Sequence, residues 1–279
     1  MEAESDNYGG ATKTRMKGFL AGDDSPTSTA PIADLFPYCT VFFGDIAGFT
    51  AWSSTRDPAQ VFTLLQSVYQ KFDMLAKRRR VFKVETIGDC YMAVTGLPEP
   101  QEKHALTMVR FAWDCVIEMN KVTKHLECTL GPDTAELTIR IGLHSGSVTA
   151  GVLRGDRARF QLFGDTVNTA SRMETNGVNG KIQVSEATAK ILREAGKEHW
   201  LTPRKDKVQA KGKGVMNTFF ANPTSMKGSS VASSTNDTKS EVTGTSEIML
   251  GANERLVEWM VELFCSDIKK IVSRRIGVP

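Results

Sequence analysis

Apolar residues along the chain change their spacing from segment to segment. Tyr38–Gly44 (YCTVFFG) is a nearly unbroken apolar run, short enough to predict a buried strand. After Asp57-Pro58 the period lengthens, and Val61, Leu64, Leu65, Val68, Phe72 and Leu75 recur at helical spacing. An Asp cap followed by Pro at the first helical position opens that helix. Two strands follow, Val81–Thr86 and Cys90–Val94, with Ile87-Gly88-Asp89 as the tight turn between them. Glu102–Lys124 predicts a second long helix, and Leu137–Leu143, Ser147–Leu153 and Phe160–Phe163 predict strands. Thr166–Glu174 predicts a helix. Ile182–Val184, a helix from Ser185, Val208 and Thr218–Phe220 complete the pattern. The opening order β-α-β-β-α-β is that of a ferredoxin-like core, with additional strands and helices after it. The expected class is α+β, a mainly antiparallel sheet with its helices on one face.

Composition sets the boundaries. Residues 1–30 are rich in Gly, Ser, Thr, Asp and Ala without periodicity, and predict a flexible tail. Dense periodicity over 31–222 predicts one domain. From Asn222 to Leu250, 12 of 29 residues are Ser or Thr, too polar to offset chain entropy, so 223–250 predicts a linker. Leu256, Val257, Met260, Leu263, Phe264, Ile268, Ile271 and Val272 return to helical spacing, so 251–279 predicts an amphipathic helix and the start of a further domain. With 279 residues and 41% hydrophobic positions the chain can build a sizeable core. No apolar run reaches the roughly 18 residues of a membrane span, and the Met1 end lacks the apolar centre of a secretory signal. Lys+Arg 35 against Asp+Glu 32 leaves +3, a balance that does not argue for nucleic acid. Cys39, Cys90, Cys115, Cys128 and Cys265 form an odd set without CxxC spacing, which points to free thiols in a reducing, cytoplasmic compartment.

Three segments carry candidate chemistry. In Phe43-Gly44-Asp45-Ile46-Ala47-Gly48-Phe49-Thr50 a carboxylate ends a buried strand, and a Gly-containing turn follows that can aim N–H groups at phosphates. In Lys83-Val84-Glu85-Thr86-Ile87-Gly88-Asp89 a second carboxylate sits at a hairpin tip. Singly, each Asp is ordinary turn chemistry; on adjacent strands they make hard oxygen ligands for Mg2+ or Mn2+. The third segment places Asn168 and Arg172 four apart on one helical face, an amide and a guanidinium suited to a sugar and a phosphate. Lys211 and Lys213 flank a glycine and suit a polyphosphate or a plain basic loop. Lys77-Arg78-Arg79-Arg80 sits at a helix C-terminus, where the dipole favours cations, and is read as a helix end in preference to a nucleic-acid patch. His144-Ser145 suggests a hydrolase pair, but no GxSxG elbow accompanies it.

Together the segments FGDIAGFT, KVETIGDCYMAVTGLP, RIGLHSGSVTAGV, FGDTVNTASRM and KGKG resemble, in order, the class III nucleotidyl cyclase catalytic domain, the family of adenylate and guanylate cyclases. The resemblance covers roughly Pro31 to Asn222. It implies that Asp45 and Asp89, with the Ile46 carbonyl, hold two divalent cations. It implies that Asn168 and Arg172 orient the ribose and stabilise the transition state, that Lys211 meets the terminal phosphates, and that Arg140 binds phosphate. It also implies a homodimer in which each site takes its metals from one protomer and the base pocket, Asn168, Arg172 and Lys211 from the other. The product would be a 3′,5′-cyclic nucleotide and pyrophosphate.

Glu85 falls where guanylate cyclases carry Glu and adenylate cyclases Lys, and a carboxylate can accept from guanine N1–H and the 2-amino group. Gln161 falls where guanylate cyclases usually carry Cys and adenylate cyclases Asp, and its amide can serve either base. GTP is the favoured substrate and ATP the alternative. A cyclase-like regulatory module without turnover is the competing class; it would be expected to lack one of Asp45, Asp89, Asn168 or Arg172, and all four are present. The intact protein is expected to be cytoplasmic or the cytosolic part of a membrane protein.

Overall fold

The computed structural model describes residues 32–153, 159–210 and 213–224. The predicted tail, nearly all of the predicted linker, the predicted helix over 251–279 and Lys211 lie outside the described residues. Strand β1 (Ile32–Ala47) leads through the five-residue helix α1 (Phe49–Ser53) into α2 (Pro58–Arg79). The hairpin β2 (Phe82–Ile87) and β3 (Cys90–Thr95) follows, then α3 (His104–Leu130) and β4 (Thr138–Leu153). The later elements are β5 (Arg159–Phe163), α4 (Asp165–Thr175), β6 (Ile182–Ser185), α5 (Glu186–Glu194), β7 (Leu201–Pro203), β8 (Val208–Ala210), β9 (Gly214–Met216) and β10 (Thr218–Ala221). The order β1-α2-β2-β3-α3-β4 is the predicted ferredoxin-like core, and its strands lie β2-β3-β1-β4, extended by β6, β10 and β7. All pairings in the sheet are antiparallel except β4 with β6.

Alternation along β1 sends Phe42 and Ile46 to one face and Cys39, Val41 and Phe43 to the other. The first face packs against α2, α3 and α5 through Leu64, Phe72, Phe111 and Leu192, all at most 1% exposed. The expectation that helices cover one face only is corrected here, because α4 lies on the opposite face. Glycines make room for it. A Cβ on Gly142 would stand 1.9 Å from the Glu174 nitrogen, and one on Gly146 would stand 2.6 Å from Thr166 Oγ1. One of these glycines explains a second difference. Leu137–Leu143 and Ser147–Leu153, predicted as two strands, are one continuous β4, and Gly146 in the predicted gap marks close packing and not a break.

Local chemistry holds the helix ends as expected. Gln60 Oε1 accepts from the Asp57 N–H at 3.3 Å at the start of α2. At its C-terminus Arg78 and Arg79 donate to Asp114 at 2.9 and 2.6 Å, and Arg80 takes the left-handed cap at φ 55°. Burial alone would raise the Asp114 carboxyl, but these two guanidiniums outweigh it and hold it below its ordinary value. The basic run is thereby engaged in closing a helix onto its neighbour.

Candidate active site

Asp45 is the last polar position of β1 before the chain turns, paired in register with Cys90 of β3 and Arg140 of β4. It points to the same face as Val41 and Phe43, away from α2 and α3. Asp89 follows Gly88 in the two-residue turn of the β2–β3 hairpin, and Gly88 takes φ +63° there, a conformation in which a side chain would be strained. The central strand and the hairpin tip bring the two carboxylates close enough to interact directly. Burial, then the Asp45 charge, raise the Asp89 carboxyl above its ordinary value.

Arg140 Nη2 donates to Asp45 Oδ2 at 3.2 Å, and its Nε donates to Glu174 Oε1 at 2.7 Å. Glu174, near the end of α4, is 7% exposed; burial raises its carboxyl, and the Arg140 contact opposes that rise. The four side chains form a line Asp89–Asp45–Arg140–Glu174. When ionised, three carboxylates against one guanidinium leave two formal negative charges. A cleft of about 360 Å3 opens beside them, lined by Asp45, Ile46, Gly48, Phe49, Thr50, Asp89 and Arg140 among others. Gly48 at φ +90° turns the chain into α1, where Phe49 stacks on Trp52 at 6.3 Å. The Trp52 indole donates to Thr134 Oγ1 at 3.1 Å, which ties this turn to the segment leading into β4.

The donor set fits a divalent cation. Like charges held in contact call for a proton or a cation between them, and all the donors are hard oxygens. Among the described residues no cluster of three or more His, Cys, Asp or Glu side chains forms a metal cage. Two carboxylates that leave remaining positions to water and phosphate oxygens suit Mg2+ or Mn2+.

A bulge determines where Glu85 points. The β2–β3 register runs Phe82 to Val94 and Lys83 to Ala93, then skips to Glu85 opposite Met92. Without the extra residue Val84 would oppose Met92, and Glu85 would face α2. The bulge turns Glu85 to the face that carries Asp45. Gln161 in β5 opposes Gly151. Its neighbours Phe160 and Leu162 pack into the second apolar cluster, Phe160 against Phe82 at 5.2 Å, so alternation turns Gln161 the other way. Asn168 is exposed and Arg172 half-buried on α4, and among the described residues neither side chain is engaged in a hydrogen bond or ion pair. Within one chain the metal pair, the α4 pair and the two base-reading candidates thus stand as separate groups, except that Glu174 links α4 to Arg140. Sequence reasoning missed Glu174 and Asn179, which also borders the cleft; the proximity of Glu174 to Arg172 on α4 was the available signal. His144 is engaged with Ser185 at 2.6 Å under α4 and makes no hydrolase pair with its neighbour Ser145.

The fold and this end of the sheet define a ferredoxin-like α+β domain with a carboxylate-lined cleft and a glycine turn. Residues 33–223 match the family described as the adenylate and guanylate cyclase catalytic domain. The rat guanylate cyclase soluble subunit beta-2 is 41% identical over 186 residues, 66% of this chain and 26% of that protein. The human atrial natriuretic peptide receptor 2 is 44% identical over 189 residues, 67% of this chain and 17% of that protein. The crystal structure of the guanylate cyclase domain of RhGC from Catenaria anguillulae in complex with GTP superposes with TM-score 0.59 at 41% identity, covering 68% of this chain and 98% of that one. The chain belongs to the adenylate and guanylate cyclase catalytic domain family. It spans about a quarter or less of the length of the two full-length relatives. Among the described residues no helix is long and apolar enough to cross a membrane.

Proposed function

We propose that this domain converts GTP to the 3′,5′-cyclic monophosphate and pyrophosphate at a site shared between two copies of the chain. The observation that carries the reading is the contacting Asp45–Asp89 pair beside the Gly48 turn and Arg140. Asp45, Asp89 and the Ile46 carbonyl would hold two divalent cations, Mg2+ or Mn2+. Such cations, when bound, acidify the ribose 3′-OH and neutralise the departing pyrophosphate. The N–H groups of Gly48, Phe49 and Thr50 and the Arg140 guanidinium bind phosphate oxygens. From the second copy, Asn168 orients the ribose, Arg172 stabilises charge growing on the α-phosphate, and Lys211 meets the terminal phosphates. No protein nucleophile is needed.

Glu85 favours GTP over ATP, because it accepts from guanine N1–H and faces adenine N1 with an unpaired oxygen. That mismatch costs about 1–3 kcal/mol. Gln161 donates to guanine O6. The GTP complex of the Catenaria domain and the guanylate cyclase relatives support the same choice. Free thiols at Cys39, Cys90, Cys115 and Cys128 support a cytosolic setting.

One experiment tests the whole reading. The chain is incubated with Mn2+ and either GTP or ATP, and the cyclic product is identified. Asp45→Ala and Arg172→Ala are assayed singly and mixed. Cyclic GMP from the wild type, near-silence of each variant and recovery on mixing are expected. A preference for ATP would overturn the base assignment. Heterodimers that form without recovering activity would overturn the shared site.

A further inference from the structure

The β2–β3 hairpin that presents Asp89 is gripped from outside by one helix. Tyr69 of α2 donates its hydroxyl to the Gly88 carbonyl at 2.9 Å, one residue before Asp89. Its ring leans on Tyr91 of β3 with centroids 5.8 Å apart. One turn further along α2, Asp73 accepts from Tyr91 Oη at 2.7 Å and from Lys83 Nζ at 2.8 Å, holding one residue from each strand of the hairpin. Asp45, by contrast, is fixed by the central strand β1, paired on both sides. The two carboxylates therefore come from separately anchored pieces, one from the sheet centre and one from a hairpin held by α2. The turn itself has little else to hold it. A Cβ built on Gly88 meets nothing within 4 Å, and Gly88 is exposed. Repulsion between the two carboxylates would push such a tip away from Asp45.

We propose that Tyr69 is a positioning residue for the metal pair: its hydrogen bond to Gly88 fixes the Gly88–Asp89 turn, so that Asp89 stays opposed to Asp45 before any cation arrives. The inference rests on the metal reading above and adds a role for a side chain of α2 that touches neither cation nor nucleotide. It also makes the spacing of the pair depend on where α2 lies, because Tyr69 and Asp73 move with that helix.

The test is Tyr69→Phe in the 279-residue chain, which keeps the ring against Tyr91 and removes only the donor. Mn2+ binding is measured without nucleotide by the electron paramagnetic resonance signal of free Mn2+, beside Asp45→Asn. Amide hydrogen exchange is followed across residues 86–91, and thermal midpoints confirm that each variant is folded. Loss of one neutral hydrogen bond should weaken Mn2+ binding about two- to tenfold and speed exchange at the turn. Turnover of the variant should recover as Mn2+ is raised, which a general loss of packing would not allow. Equal Mn2+ affinity and equal exchange in Tyr69→Phe and wild type would overturn the positioning role and leave the metal reading standing. A wild type that binds Mn2+ no better than Asp45→Asn would remove the metal reading, and the proposal with it.

Discussion

The two faces of the central sheet are packed by different rules. Toward α2, α3 and α5 the sheet presents Phe42, Tyr91, Ile139, Ile141 and Leu143, and rings meet rings: Phe42 on Phe111 at 5.2 Å and Phe72 on Tyr91 at 5.6 Å. Beneath α4 the packing is mixed: Val167 and Ala170 join the second apolar cluster, and polar side chains are buried beside them. Thr166, Thr169 and Glu174 come from the helix, and Gln183, Ser185 and Thr218 from β6 and β10, with the half-buried His144 of β4 beside them. Thr169 Oγ1, Gln183 Nε2 and Thr218 Oγ1 are buried there without a partner among the described residues. Apolar burial stabilises in proportion to area, whereas an unpaired buried polar group costs about 1–3 kcal/mol. The first face therefore carries the larger apolar cluster, and the other holds, beside a smaller one, a helix that displays Asn168 and Arg172 on a less tightly satisfied seat.

The largest effect that sharpens this contrast should come from Phe111→Ala. It opens a cavity in the ring cluster and should lower unfolding stability by about 3–5 kcal/mol, while activity per folded molecule stays near wild type. Chemical denaturation followed by an assay on the folded fraction would show it. Acid comes next. Burial is the main cause that lowers His144 to about 4 from its ordinary 6.5, with Asp165 opposing and Lys213 assisting, and burial also lowers His104. A histidine depressed on folding leaves stability complete above pH 6.5 and withdraws it as pH falls toward 4. The loss for His144 is on the order of 3 kcal/mol. Denaturant midpoints between pH 7 and 4 should fall more steeply in the wild type than in His144→Gln.

Asp45→Ala and Asp89→Ala should act in the opposite sense from Phe111→Ala. Each should cost at least about a hundredfold in kcat/KM. The Asp89→Ala thermal midpoint should hold or rise, because a like-charge contact is relieved, whereas Asp45→Ala also gives up the ion pair with Arg140. Near-wild-type turnover in either variant would detach the carboxylate pair from catalysis. The smallest effect is Thr169→Val, which replaces an unpaired buried hydroxyl. It should change stability by less than about 1 kcal/mol, in either direction. A loss of several kcal/mol would show that this hydroxyl is satisfied in solution.

The sequence made the helix-covered face legible because periodicity and caps are local signals. Asp57-Pro58 announced α2, and the spacing from Val61 to Leu75 described its packed face. Asp45 and Asp89 were legible because each sits at a strand end beside a glycine. What stayed hidden depends on contacts far apart in the chain. Gly146 looks like a strand breaker until α4 is seen lying on it. The bulge at Val84 cannot be read from KVETIG, yet it decides which face Glu85 occupies. Tyr69 was not among the face positions read from Val61 to Leu75, and nothing in the spacing hints that its hydroxyl reaches the turn.

The buried His104 and the half-buried His144 are joined by a chain of hydroxyls that passes round the end of β6. His104 Nδ1 meets Thr40 at 2.7 Å, Thr40 meets Ser145 at 2.8 Å, and Ser145 meets Thr188 at 3.0 Å. Thr188 meets Ser185 at 3.3 Å, and Ser185 meets His144 Nδ1 at 2.6 Å. Five links need five protons, and four hydroxyls supply four. One imidazole must therefore carry its hydrogen on Nδ1, and the other must leave that nitrogen bare. The tautomers of two rings on opposite faces are thus tied together: whichever ring donates, every hydroxyl between them is oriented by that choice, and exchanging the two roles reverses the whole row.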